Sequence, residues 1–165
     1  LDAFDALKFR RKEFVLIRQT SKPADIIFAE DDDEDYFLIE DACRESAVSH
    51  RTFRVKDGEQ LLKGLQDPEK VFGSVIEPTV VFLDLNMPGM DGIQALKEIK
   101  SHPNLCHIPI VILTTSRAEE EVARAYQLGV NSFLQKPISF EGLVRQLHIS
   151  LEYWTEIVES PRKFN

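Results

Sequence analysis

Short apolar blocks alternate along the chain with longer stretches in which apolar residues recur three or four positions apart. Ile26-Ile27-Phe28-Ala29 is a continuous apolar run bounded by charged residues, which predicts a strand buried on both faces. Asp35 to Glu45 follows as a helix with Phe37, Leu38 and Ala42 on one side. Thr52-Phe53-Arg54-Val55 is a weaker strand, supported by its β-branched and aromatic residues, and leads into a helix around Leu61, Leu62 and Leu65. Val80-Val81-Phe82-Leu83 predicts another strand and Gly92 to Lys100 a helix. Ile108 to Leu113 reads as a strand that tolerates Pro109 only near its start. Ala118 to Leu128 reads as a helix stopped at Gly129 in a left-handed conformation. Ser132-Phe133-Leu134 makes a short final strand, and a helix capped by Ser139 then runs through Leu143, Leu147, Leu151 and Trp154.

Five strands, each followed by a helix, predict a doubly wound α/β fold with a parallel sheet, because right-handed crossovers place helices on both faces. A chain of 165 residues has room for about one such core. The domain is expected over residues 22–158, after an extension over residues 1–21 and before a short tail over residues 159–165. No low-complexity linker marks a second domain.

Composition narrows the partners. With 20 Lys+Arg against 28 Asp+Glu the net charge is −8, which a nucleic-acid backbone would repel, so nucleic acid is not expected as a partner. No apolar run approaches the roughly 18 residues of a membrane span, and Phe14-Val15-Leu16-Ile17 is too short for the apolar core of a signal peptide. Cys43 and Cys106 are too few and too far apart for a disulfide framework or a metal-ligand pair, which fits reduced thiols and a cytoplasmic location.

Six acids in a row, Glu30 to Asp35, follow the first strand directly. A solvated charge run that favours the start of the next helix is the plain reading. A calcium loop does not fit, since Tyr36 and Ala42 stand where Gly and Glu would be required. The other predicted strand ends change the weighing: Asp84, Thr114-Thr115-Ser116 and Lys136-Pro137 end the third, fourth and fifth strands. Ligands of doubly wound sheets sit at the carboxyl ends of the strands. Three carboxylates, a hydroxyl and an ammonium gathered there would be costly as a structural device, whereas a hard cation and a phosphoryl group would satisfy them all.

The acid pair Glu30-Asp31, the segment Asp84-Leu85-Asn86-Met87-Pro88-Gly89-Met90-Asp91-Gly92, Thr114 and Lys136-Pro137 resemble the CheY-like receiver domain of two-component response regulators over about residues 24–151. The joint spacing carries the resemblance: 53 residues from Asp31 to Asp84, 30 to Thr114 and 22 more to Lys136. It implies a flavodoxin-like (βα)5 sheet of order 2-1-3-4-5, with Asp84 as phosphoacceptor and Lys136 beside the phosphoryl oxygens. It further implies Mg²⁺, or Mn²⁺, held by Glu30, Asp31, Asp84 and the backbone carbonyl of Asn86, with Glu30 lengthening an arm that is Asp in the family. Pro137 would fix the turn holding Lys136, a cis bond being one way to do so. Thr114 and Phe133 take the switch positions, a plain core aromatic being the other reading of Phe133. Asn86 and Ser116 take positions that tune dephosphorylation, and Met87 and Met90 read as packing.

On this resemblance the chain is a single-domain signalling switch, not a turnover enzyme, phosphorylated by a sensor histidine kinase. Two alternatives remain open. An aspartyl-phosphate phosphatase would want Asp where Asn86 stands, and a pseudo-receiver would act as a binding module without phosphorylation. About 14 residues follow Leu151, which leaves protein contacts or phosphotransfer as the expected output. The length and the final helix resemble small stand-alone regulators partnered with bacterial phytochromes. Tyr153, Trp154 and Ile157 extend apolar character past the last strand, as a homodimer or partner surface or as a tail folded onto its own domain.

Overall fold

The computed structural model describes residues 22–159. The strands are β1 (Ala24–Ala29), β2 (His50–Val55), β3 (Pro78–Leu83), β4 (Ile110–Thr114) and β5 (Ser132–Gln135). Between and after them lie α1 (Asp33–Arg44), α2 (Gly58–Gln66), the short α3 (Pro68–Phe72), α4 (Gly92–Ser101), α5 (Glu119–Gln127) and α6 (Phe140–Glu152). The sheet is parallel throughout with order β2-β1-β3-β4-β5, as the expected fold requires. The expectations for residues 1–21 and for the tail beyond residue 159 lie outside the described residues.

Alternation along the central strands divides the core in two. Ile26, Phe28, Val80, Phe82, Val111 and Leu113 face α1 and α6, where they meet Ile39, Ala42, Cys43, Leu143, Leu147 and Leu151. Ile27, Ala29, Val81, Leu83, Ile110 and Ile112 face the other way, against Leu61, Ile93, Leu96, Ile99 and Ala125. Both faces of the middle strands are therefore covered, which is why those strands read as unbroken apolar runs. β4 begins at Ile110, immediately after Pro109, whose carbonyl accepts from the Val81 amide at 2.9 Å.

Three local expectations are corrected. The inward side of α1 is Ile39, Ala42 and Cys43, while Phe37 and Leu38 are exposed; Tyr36 sets this phase by packing edge-on against Phe28 and under Arg54. All described peptide bonds are trans, including the one before Pro137. Trp154 is buried rather than presented as surface: α6 runs into a π-helical turn over Tyr153–Ile157, closed by the Val158 amide on the Tyr153 carbonyl at 2.9 Å. That turn carries the indole onto the α1/α6 core while Tyr153 and Ile157 stay exposed.

Candidate functional site

Strand register assembles the site. Ala29 of β1 and Leu83 of β3 are Cα partners, so the next residues, Glu30 and Asp84, leave the sheet side by side. The Asp84 amide donates to the Ala29 carbonyl at 3.0 Å and the Glu30 amide to the Val55 carbonyl at 2.9 Å. On the other flank the Lys136 amide donates to the Thr114 carbonyl at 2.7 Å, fixing the loop after β5 to the end of β4. One carboxylate oxygen from each of Glu30, Asp31 and Asp84 lies within 4.8 Å of the others. Hard oxygen donors at that spacing suit Mg²⁺ or Mn²⁺ and not a thiolate-loving metal, so the donor set fits the implied ion.

Lys136 is the cation of this cluster. Its Nζ lies 2.6 Å from Glu30 Oε2, 2.6 Å from Asp35 Oδ2 and 3.7 Å from Asp84 Oδ2. Burial works against the ammonium, but hydrogen bonds to Asp35 and Glu30 and the nearby Asp84 charge outweigh it and hold its pKa above the ordinary lysine value. Glu30 is almost fully buried, and burial pushes its carboxyl up to about 7 although Lys136 pulls the other way. Asp84 Oδ1 accepts from the Leu85 amide at 2.7 Å, which orients its carboxylate.

Thr114 is completely buried at the end of β4, and its Oγ1 accepts from the Ser116 amide at 3.3 Å, leaving the hydroxyl proton for donation. The Ser116 hydroxyl donates to Glu121 of α5. Phe133 is half-buried, paired with Ile112 and packed on the α2/α4/α5 side of the sheet. Asn86 is exposed and lines a hollow with Asp91, Glu121 and Arg124, while Met87 is buried in the core.

The acid run divides by role. Asp32 caps α1, its Oδ1 accepting from the amides of Glu34 and Asp35. Asp33 turns toward β2, where Lys56 and then Arg54 hold its carboxyl below the usual range. Arg54 was not singled out by sequence, yet its guanidinium donates to the Glu30 carbonyl at 2.9 Å, the Asp31 carbonyl at 3.0 Å and Asp33 Oδ1 at 2.6 Å. Its centre stands 4.5 Å from the Tyr36 ring. A planar fork on two successive carbonyls fixes the loop that carries the acid pair. The sequence signal was an arginine in a strand beside that loop, with no visible partner.

Residues 26–148 match the response regulator receiver domain family. The chain belongs to that family. It is 33% identical over 143 residues to response regulator Rcp1 of Synechocystis sp., covering 87% of this chain and 97% of the relative. It is 36% identical over 145 residues to the "Probable methanogenesis regulatory protein FilR2" of Methanothrix harundinacea, covering 88% and 92%. Among solved structures, the Mn²⁺-bound form of Rcp1 aligns with a TM-score of 0.76 at 34% identity, over 85% of this chain and 100% of that one. The phosphorylated cyanobacterial phytochrome response regulator RcpA aligns with a TM-score of 0.78 at 32% identity, over 86% and 100%. This protein is thus a response regulator of the receiver type, with relatives described as bound to Mn²⁺ and as phosphorylated.

Proposed function

We propose that this response regulator takes a phosphoryl group onto Asp84 from a sensor histidine kinase. Glu30, Asp31, Asp84 and the backbone carbonyl of Asn86 would hold Mg²⁺ or Mn²⁺. The observation that carries the reading is the convergence of the Glu30, Asp31 and Asp84 carboxylates with the Lys136 ammonium 3.7 Å from Asp84 Oδ2. In the transfer, an Asp84 carboxylate oxygen forms a new P–O bond while the bond from phosphorus to the donor breaks, the donor leaving with the electron pair. A bound divalent cation supplies charge neutralisation at the phosphoryl oxygens. Lys136 contributes a compact ammonium to the same oxygens.

Thr114 then donates its hydroxyl to the phosphoryl group, and the half-buried Phe133 follows it as the packing between β4, β5 and α5 shifts. Ser116 and Asn86, each two positions beyond a site residue, set how long the acyl phosphate survives. The chain works on itself and not on a turned-over substrate. Exposed Phe37, Leu38, Ile138 and Phe140 offer apolar contacts to the kinase on α1 and just after Lys136. A phytochrome kinase is favoured by the likeness to RcpA, and a homodimer through exposed Tyr153 and Ile157 supplies the output.

Acetyl phosphate with Mg²⁺ tests the central step. Intact mass is expected to show one phosphoryl group on the wild type and none on Asp84→Asn. Equal uptake by both proteins would move the acceptor elsewhere, and no uptake by the wild type would favour the binding-module reading.

A further inference from the structure

Lys136 is shared among more carboxylates than a phosphoryl-binding lysine needs. An ammonium has three donors. Two are engaged at 2.6 Å, by Glu30 Oε2 and by Asp35 Oδ2, while Asp84 Oδ2 stands off at 3.7 Å. Asp35 is neither part of the carboxylate cluster that could hold a cation nor a helix cap, since Asp32 fills that position. It sits in the first turn of α1 with its amide fixed to Asp32 Oδ1 at 2.9 Å. Side chains of a helix lean toward its N-terminus, which directs this carboxylate back over the strand ends.

The two close partners of Lys136 differ in what happens when they are left. The Glu30 side chain is 3% exposed, so losing the ammonium would strand a buried carboxyl. The Asp35 side chain is 39% exposed and lies where the dipole of α1 favours a negative charge, so water and the helix can take it over. Asp35 is the partner that can be given up.

We propose that Asp35 is a positioning residue of the phosphoryl site: it holds Lys136 in the unphosphorylated protein and competes for that ammonium with a phosphoryl group on Asp84. This rests on Asp84 being the acceptor. Two effects then act in the same direction. Asp35 competes for the ammonium that the phosphoryl oxygens require, and its own charge repels the incoming dianion. Both disfavour the phosphorylated state, so Asp35 sets how readily the protein switches.

Beryllofluoride, a stable tetrahedral mimic of a phosphoryl group on a carboxylate, reads this as an equilibrium at saturating Mg²⁺, followed by fluorine NMR. Asp35→Asn should bind it about three- to fivefold more tightly than wild type, and Asp35→Glu should return to the wild-type value. In a Lys136→Ala background the gain from Asp35→Asn should shrink, because the competition runs through that lysine. An Asp35→Asn protein that binds equally or less well overturns the proposal. So does a gain of the same size with and without Lys136, which would leave simple charge repulsion. A wild type that binds no beryllofluoride, or an Asp84→Asn that still binds it, overturns the acceptor assignment, and this proposal with it.

Discussion

A β-carbon placed on Gly92 would lie 2.2 Å from the Asp84 carbonyl oxygen and 2.8 Å from the Leu85 Cα. The start of α4 therefore presses directly on the backbone of the proposed phosphoacceptor, and the Gly92 amide donates to the Leu85 carbonyl at 3.0 Å. Gly92→Ala must push that backbone away. It should cost about 1–3 kcal/mol and also lower the rate of phosphoryl uptake. Gly129→Ala is the control: its backbone lies in the left-handed region at φ 88°, where a side chain costs about 1–2 kcal/mol, but it is remote from Asp84. Chemical denaturation should find both variants destabilised and phosphorylation only the first impaired. Normal uptake by Gly92→Ala would show that the loop absorbs the clash without moving Asp84.

Arg54 ties β2 to the backbone of Glu30 and Asp31 through two hydrogen bonds and to the Asp33 carboxylate through a third. Arg54→Lys keeps the charge and loses the fork, so it isolates geometry from field. Affinity for Mg²⁺, measured by calorimetry, should fall about tenfold. A lower melting temperature with unchanged Mg²⁺ affinity would make Arg54 a support of the fold alone.

The strands and the main acids were legible in the sequence for a physical reason: Ile26 to Ala29 and Val80 to Leu83 are buried on both faces, and Asp84 and Lys136 stand where their strands end. What the sequence left obscure depends on tertiary partners. Tyr36 to Ile39 are four consecutive apolar residues, and only the packing of Tyr36 edge-on against Phe28 and under Arg54 decides which of them turn inward. α3 has Asp67 as cap and Pro68 in its first turn, but it buries none of its residues and so carries no periodic signal. Asp35 looked like one acid of six, because its bond to a lysine 101 residues away has no trace in local pattern.

The buried carboxyl of Glu30 gives a signed pH dependence. Its pKa is raised from an ordinary value near 4.5 to about 7, so the folded protein binds the extra proton. The stabilisation from this group is then fully present below about 4.5 and lost as pH rises through about 7. Without metal, the melting temperature of wild type should fall relative to Glu30→Gln as pH rises from 4.5 to 7. A constant gap between the two proteins would mean that Lys136 keeps Glu30 ionised throughout.

The end of α6 separates core from surface within a few residues. Trp154 continues the stripe of Leu143, Leu147 and Leu151 and is 9% exposed, whereas Tyr153 is 47% and Ile157 65% exposed. Removing the indole should leave a cavity, so Trp154→Ala should cost about 3–5 kcal/mol. Tyr153→Ala with Ile157→Ala removes exposed side chains and should change stability little. The proposed homodimer makes the opposite assignment of effects on assembly. Sedimentation should find the wild type dimeric and the Tyr153→Ala/Ile157→Ala double variant shifted toward monomer at the same concentration and melting temperature. A double variant that dimerises like wild type would place the contact on another face, and a wild type that stays monomeric when phosphorylated would remove self-association as the output.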